Sequence, residues 1–218
     1  MDSTYIPVLD QLLIGQDDWE SQQLLQDFKD IIGVIILLFI PLSIDAIAQL
    51  LSRERDDVKN LLDMFHSVLH IPQDFDTVVK PLHLSFRDFL LDSKKKGTKF
   101  WIDEQSIHQH LTQQCLEVMG CRLRMNICTL DYGTELSEVS QEHINENLPL
   151  ELQYCCQYWA HHLERSSCSG SLIGSVFTFL EEHFLHWMEA MNVLGLGSEM
   201  VGIISTLQQV IQVKSPRA

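Results

Sequence analysis

The sequence predicts a mainly α protein, with a small domain of helices and one hairpin over residues 1–97 and an all-helical domain over residues 98–218. Three observations predict it. Apolar residues recur at three- and four-residue spacing through most of the chain, which is the signature of helices with one buried face. Strand-like runs are confined to two brief stretches between residues 68 and 84. Between the halves lies DSKKKGTK, Asp92 to Lys99, a polar lysine-rich segment that reads as a linker and sets the expected boundary near residue 97.

The first clear helix is expected over residues 17–39, where Leu24, Leu25, Phe28, Ile31, Ile32, Val34, Ile35 and Ile36 keep helical spacing and thicken toward the end. Such a helix starts on the surface and runs into the core. Its apolar end, IIGVIILLFIPL, imitates a membrane span. Twelve residues rise only about 18 Å as a helix, against roughly 30 Å of hydrocarbon, and Pro41 interrupts them, so a buried core helix is expected.

Ser43 is the expected N-cap of a short helix, IDAIAQLL, with Ile44, Ile47, Leu50 and Leu51 inward. A third helix follows at Arg55 to His66, with Val58, Leu61, Leu62 and Phe65 on one face. Two strands are then expected, Val68 to Pro72 and Val78 to Leu84, joined by the polar turn QDFDT. Three helices and a hairpin describe a winged helix. Ser85, with Asp88 three residues on, is the expected cap of a helix whose Phe86, Phe89 and Leu90 pack back on the bundle. Beyond the linker, helices are expected over residues 103–119, 140–145, 148–164, 171–194 and 198–213, with Gly195 and Gly197 as stops.

The net charge of −15 argues against nucleic acid as a partner, because affinity for phosphate backbones comes largely from Lys and Arg displacing condensed counterions. The helix that a DNA-binding winged helix would place in the major groove reads RERDDVKNLLDMFH, where Arg53, Arg55 and Lys59 face Glu54, Asp56, Asp57 and Asp63. The N-terminus MDSTYIPVLDQLL has neither a basic region nor a small-residue cleavage site, so no secretory signal is read and no membrane contact is expected. The six cysteines are then expected to be reduced, in a cytoplasmic protein.

Candidate chemistry is sparse. In EEHFLHWMEAM, Glu182, His183 and His186 have zinc-ligand types, but the two histidines are three apart with no acid between them, unlike a metalloprotease helix. Cys155-Cys156 and His161-His162 share one helix, QYCCQYWAHHLE, and Trp159 falls on the cysteines' face. Adjacent cysteines do not form the usual C-x-x-C zinc loop, so small buried residues are the better reading. No phosphate loop, G-x-G-x-x-G, H-E-x-x-H or G-x-S-x-G occurs. No catalytic residue, metal site or bound cofactor is therefore predicted, and the residues alone indicate an acidic helical module for protein contacts.

Six blocks in order, PLSIDAIAQLL, LLDMFHSVLHIP, PLHLSFRDFLLD, FWIDEQSIHQHL, LPLELQYCCQYWAHHL and FLEEHFLHWMEAM, resemble fungal NACHT NTPases of the STAND class. These are NLR-like proteins that include heterokaryon-incompatibility proteins and usually carry WD or ankyrin repeats. The resemblance runs from about Tyr5 to about Gln209 and covers the region after the nucleotide-binding core, namely the winged helix and the helical segment that follows.

It implies signal transduction or non-self recognition, no catalysis in this segment, and a NACHT NTPase core as partner in cis or in trans. It also implies a role for His83. In the family, the histidine of an F-x-H-x-S-F-like motif faces the ADP phosphates and helps hold the closed state, and His83, with Ser85 and Phe86 after it, occupies that position. Pro81 stands where the motif has its first Phe, and Phe-Arg-Asp-Phe replaces the Phe-Gln-Glu-Phe common in the animal receptors; both departures point to the fungal branch. The competing readings are an acidic winged-helix DNA-binding regulator and a truncated gene product without independent function.

Overall fold

A computed structural model describes residues 2–72, 74, 77–131 and 133–214. The protein is mainly α, with ten α-helices and one two-stranded sheet among the described residues. Backbone contacts group the chain into two compact units, Met1–Ile107 and His108–Ala218. No described helix is long and apolar enough to cross a membrane.

The first unit opens with α1 (Asp2–Asp10), a helix containing Pro7 that the sequence reading passes over. Its reason is tertiary: the Tyr5 ring lies 5.3 Å from Phe86 and 5.2 Å from Phe89. Next, α2 (Asp18–Leu37) starts at a full capping box, in which Asp17 accepts from the Glu20 backbone and Glu20 accepts from the Asp17 backbone. Two orphan donors are satisfied there at once. Every residue from Ile31 to Leu37 is buried, so the span-like run is a core helix as expected.

Ser43 caps α3 (Ile44–Leu50), its side chain accepting from Ala46 N at 3.2 Å. Arg53, just beyond, reaches back to Asp27 at 2.6 Å and Asp30 at 3.2 Å on α2. The next helix, α4 (Arg55–Asp63), ends three residues before the expected His66. A tight turn, with Phe65 N donating to Leu62 O at 2.7 Å, delivers the fully buried Phe65 to Phe28, ring centroids 5.5 Å apart.

The hairpin is present but short: β1 (Leu69–His70) pairs antiparallel with β2 (Lys80–Pro81), Leu69 opposite Pro81 and His70 opposite Lys80. Pro81 has no N–H to extend the ladder, and the chain turns into a helix at His83. The turn QDFDT lies largely outside the described residues. The next helix, α5 (Leu84–Leu91), buries Phe86, Phe89 and Leu90 as expected. The lysine-rich segment expected to be a linker is packed: Asp92 accepts from Lys94 N, and the Lys95 ammonium sits 3.5 Å from the Phe89 ring centre. Gly33 on α2 is a point of close approach, since a Cβ there would stand 3.0 Å from Ile107.

In α6 (Glu104–Arg122), His108, Leu111, Thr112, Cys115 and Met119 are fully buried. They recur at helical spacing and form one inward stripe. Three helices follow: α7 (Gln141–Asn147), capped by Ser140; α8 (Leu150–Arg165); and α9 (Gly170–Val193), capped by Ser169. The stop after α9 is a Schellman arrangement, with Gly195 at φ +74°, Gly195 N on Asn192 O and Leu196 N on Met191 O. Last comes α10 (Glu199–Lys214). Trp159 is the hub of this core, meeting Trp187 and Phe179 edge to face at 6.1 and 5.5 Å.

Candidate functional site

His83 is not at the end of a strand but at the N-cap of α5, in extended backbone with φ −146° and ψ 139°. It performs the capping that the sequence assigned to Ser85. The imidazole Nδ1 accepts from Ser85 N at 3.0 Å, satisfying one of the orphan donors of the first turn. Ser85 is thereby released for another bond, and its hydroxyl meets the Tyr5 hydroxyl at 2.6 Å.

The cap decides the tautomer. A ring nitrogen that accepts a hydrogen bond carries no proton, so neutral His83 holds its proton on Nε2. The ring is exposed, and both flanking leucines are too, Leu82 at 56% and Leu84 at 74%. The first turn of α5 therefore carries an exposed imidazole whose other nitrogen, Nε2, is left as a donor, bordered by apolar side chains. That geometry suits an oxygen acceptor delivered from outside, because the donor's orientation is set before any ligand arrives.

The other residues singled out from the sequence are brought together only in part. His183 and His186 approach within 3.5 Å through their Nδ1 atoms, and Glu182 lies 3.8 Å from His183 Nε2. The described residues contain no group of three or more His, Cys, Asp or Glu side chains able to hold a metal ion. Cys155 and Cys156 are completely buried, as expected of small apolar residues, and burial raises both thiols well above the ordinary range. They are the wrong environment for a nucleophile.

His162 belongs to a buried polar chain that the sequence does not announce. Its Nδ1 meets His108 Nδ1 at 2.8 Å, and its Nε2 meets the Tyr154 hydroxyl at 2.6 Å. Burial first, then the neighbouring His108, Arg165 and His161, push His162 down to about 2, so it is neutral at any physiological pH. The spacing of His108 with Leu111 and Cys115 marks its face as the inward one, but no local pattern pairs it with a residue 54 positions away.

The chain is similar to the vegetative incompatibility protein HET-E-1 of Podospora anserina, at 25% identity over 235 aligned positions that take in 97% of this chain and 17% of that protein. It thus spans about a sixth of the length of that relative. No protein-family model matches the chain, and no solved structure matches it.

Proposed function

We propose that this chain is the non-catalytic regulatory segment of a fungal NACHT NTPase of the STAND class, a winged helix and helical region that docks on a nucleotide-binding core and stabilises its ADP-bound inactive state. The observation that carries the reading is the 3.0 Å bond from Ser85 N to His83 Nδ1 on an exposed ring, which leaves Nε2 as the donor for a phosphate oxygen held by another domain. The similarity to a fungal incompatibility protein over nearly the whole chain supports the family, and with it a role in non-self recognition. Because a contact made in the ADP state and lost in the opened state shifts the equilibrium by its differential strength, one hydrogen bond suffices for a latch.

The acidic α4 speaks against the DNA-binding alternative. Asp56, Asp57 and Asp63 are exposed there, and such acids repel a phosphate backbone. The chain by itself is proposed to turn over no nucleotide.

The test places His83→Ala in a chain that carries the nucleotide-binding core ahead of this segment and follows release of labelled ADP. Release is expected to accelerate roughly tenfold, the effect of one charge-assisted hydrogen bond worth about 1.5 kcal/mol. Unchanged retention, with the helix still folded, removes the latch.

A further inference from the structure

Between α6 and α9 of the second unit lies an open groove of about 410 Å³, within the size range of small-ligand sites. Its lining has an unusual polarity. No lysine or arginine contributes to it, while Glu117 stands on one wall and Glu182 on the other. The Glu182 side chain is 65% exposed, so its carboxylate is accessible.

Three further polar groups present acceptors. Ser175 and Thr178 each donate their hydroxyl proton back into α9, to Ser171 O at 3.3 Å and Gly174 O at 3.2 Å. What they offer the groove is lone pairs. Gln113 commits an amide N–H to Glu117 at 2.8 Å, which leaves its carbonyl oxygen as an acceptor. A carboxylate has about four acceptor sites, so Glu117 keeps capacity after the bonds from Gln113 and Gln114.

The floor is aromatic, formed by Phe179 with His183 stacked on it at 5.8 Å. A cation over such a floor gains from the ring's negative face. Depth comes from Gly120, where a Cβ would meet nothing closer than His183 Nε2 at 3.9 Å.

An anionic ligand would face Glu117 and Glu182 with no lysine or arginine in the lining to offset them, and an apolar one would leave both carboxylates and Ser175, Thr178 and Gln113 unmatched. We infer that the groove binds a small organic cation with several N–H donors, of the polyamine or guanidinium class. Its ammonium or guanidinium donors bridge Glu117 and Glu182 across the groove, and Ser175, Thr178 and Gln113 accept the remainder.

The test uses the full chain at about 0.15 M salt, where diffuse attraction to an acidic surface is largely screened. Spermidine and methylguanidinium are titrated in separate arms, read by calorimetry and by amide shifts, to distinguish amine from guanidinium recognition. The expected result is saturable one-to-one binding in at least one arm, weakened roughly tenfold by Glu182→Gln, the loss of one charged partner. Gly120→Met, which fills the groove while improving helix propensity, should abolish it. Glu142→Gln, at an exposed position on α7, should leave it unchanged. Absence of saturable binding in both arms overturns the inference. So does equal weakening by Glu142→Gln, or binding that survives both groove variants.

Discussion

All three histidines of the first unit, His66, His70 and His83, are exposed, whereas none of the seven in the second unit is, and His108 and His162 are completely buried. The same side chain thus works in two regimes. At the surface, His83 spends one nitrogen on its own helix, and the other takes no part in the described fold. In the core of the second unit, His162 spends both nitrogens inside the protein, on His108 and Tyr154. The difference teaches that a histidine's partners, more than its presence, decide whether it serves recognition or folding: a ring with a free donor at the surface can be read by a ligand, and a ring satisfied in the core specifies which helices meet.

The sharpest way to break that comparison is His162→Ala. It opens a cavity and leaves the Tyr154 hydroxyl and His108 Nδ1 without this shared partner, so a loss of about 3–5 kcal/mol is expected. Urea unfolding followed by the buried tryptophans Trp159 and Trp187 measures it. A loss below about 1 kcal/mol would mean that the network contributes little.

Acid probes the same contrast with no mutation. Burial holds His162 neutral in the folded state, its pKa pushed down to about 2 from the ordinary 6.5, so below pH 6.5 this residue binds more protons in the unfolded chain than in the folded one. The stability this neutrality provides is complete above 6.5 and is lost as pH falls toward 2, at a limiting slope of about 1.4 kcal/mol per pH unit. Between pH 6.5 and 5 the second unit is expected to lose up to about 2 kcal/mol on this account, measured from denaturant midpoints across that range. In His162→Gln the slope should flatten, and an unchanged slope would assign the acid sensitivity to other groups.

The smallest effect belongs to the surface histidine. His83→Ala removes a helix cap and nothing else the fold needs, so thermal unfolding should show a loss of about 0.5–1 kcal/mol, with His83→Asn restoring most of it. A loss comparable to that of His162→Ala would erase the distinction between the two regimes.

Much of the fold was legible because helical periodicity is a local property. The thickening apolar run of α2, the cap at Ser43 and the Gly195 stop all follow from residues within one or two turns. Where the sequence misled, a distant contact had intervened. The first helix forms although it holds Pro7, because Tyr5 finds Phe86 and Phe89. Ser85 does not cap α5, because its hydroxyl meets Tyr5 and His83 takes the role. The lysine run is pinned over Phe89 by a cation–π contact that composition cannot show.

The sites follow the same division. His83 was singled out by its surrounding block, but its tautomer depends on a 3.0 Å bond that a sequence does not contain. The His108–His162 pair and the α6–α9 groove join residues 54 or more positions apart, and their chemistry exists only once the helices have met.

The bond between Tyr5 and Ser85, eighty residues apart, also has a consequence on the ribosome. Closing so long a loop delays the gain from its contacts, and at roughly 5–20 residues per second Ser85 is joined to the growing chain on the order of 4–16 s after Tyr5. Throughout that interval the packing around Phe28, on the helix that carries the apolar run Ile31–Leu37, lacks Phe100, which is joined later still. The emerging first unit therefore carries that apolar run incompletely packed until the chain beyond α5 has been made.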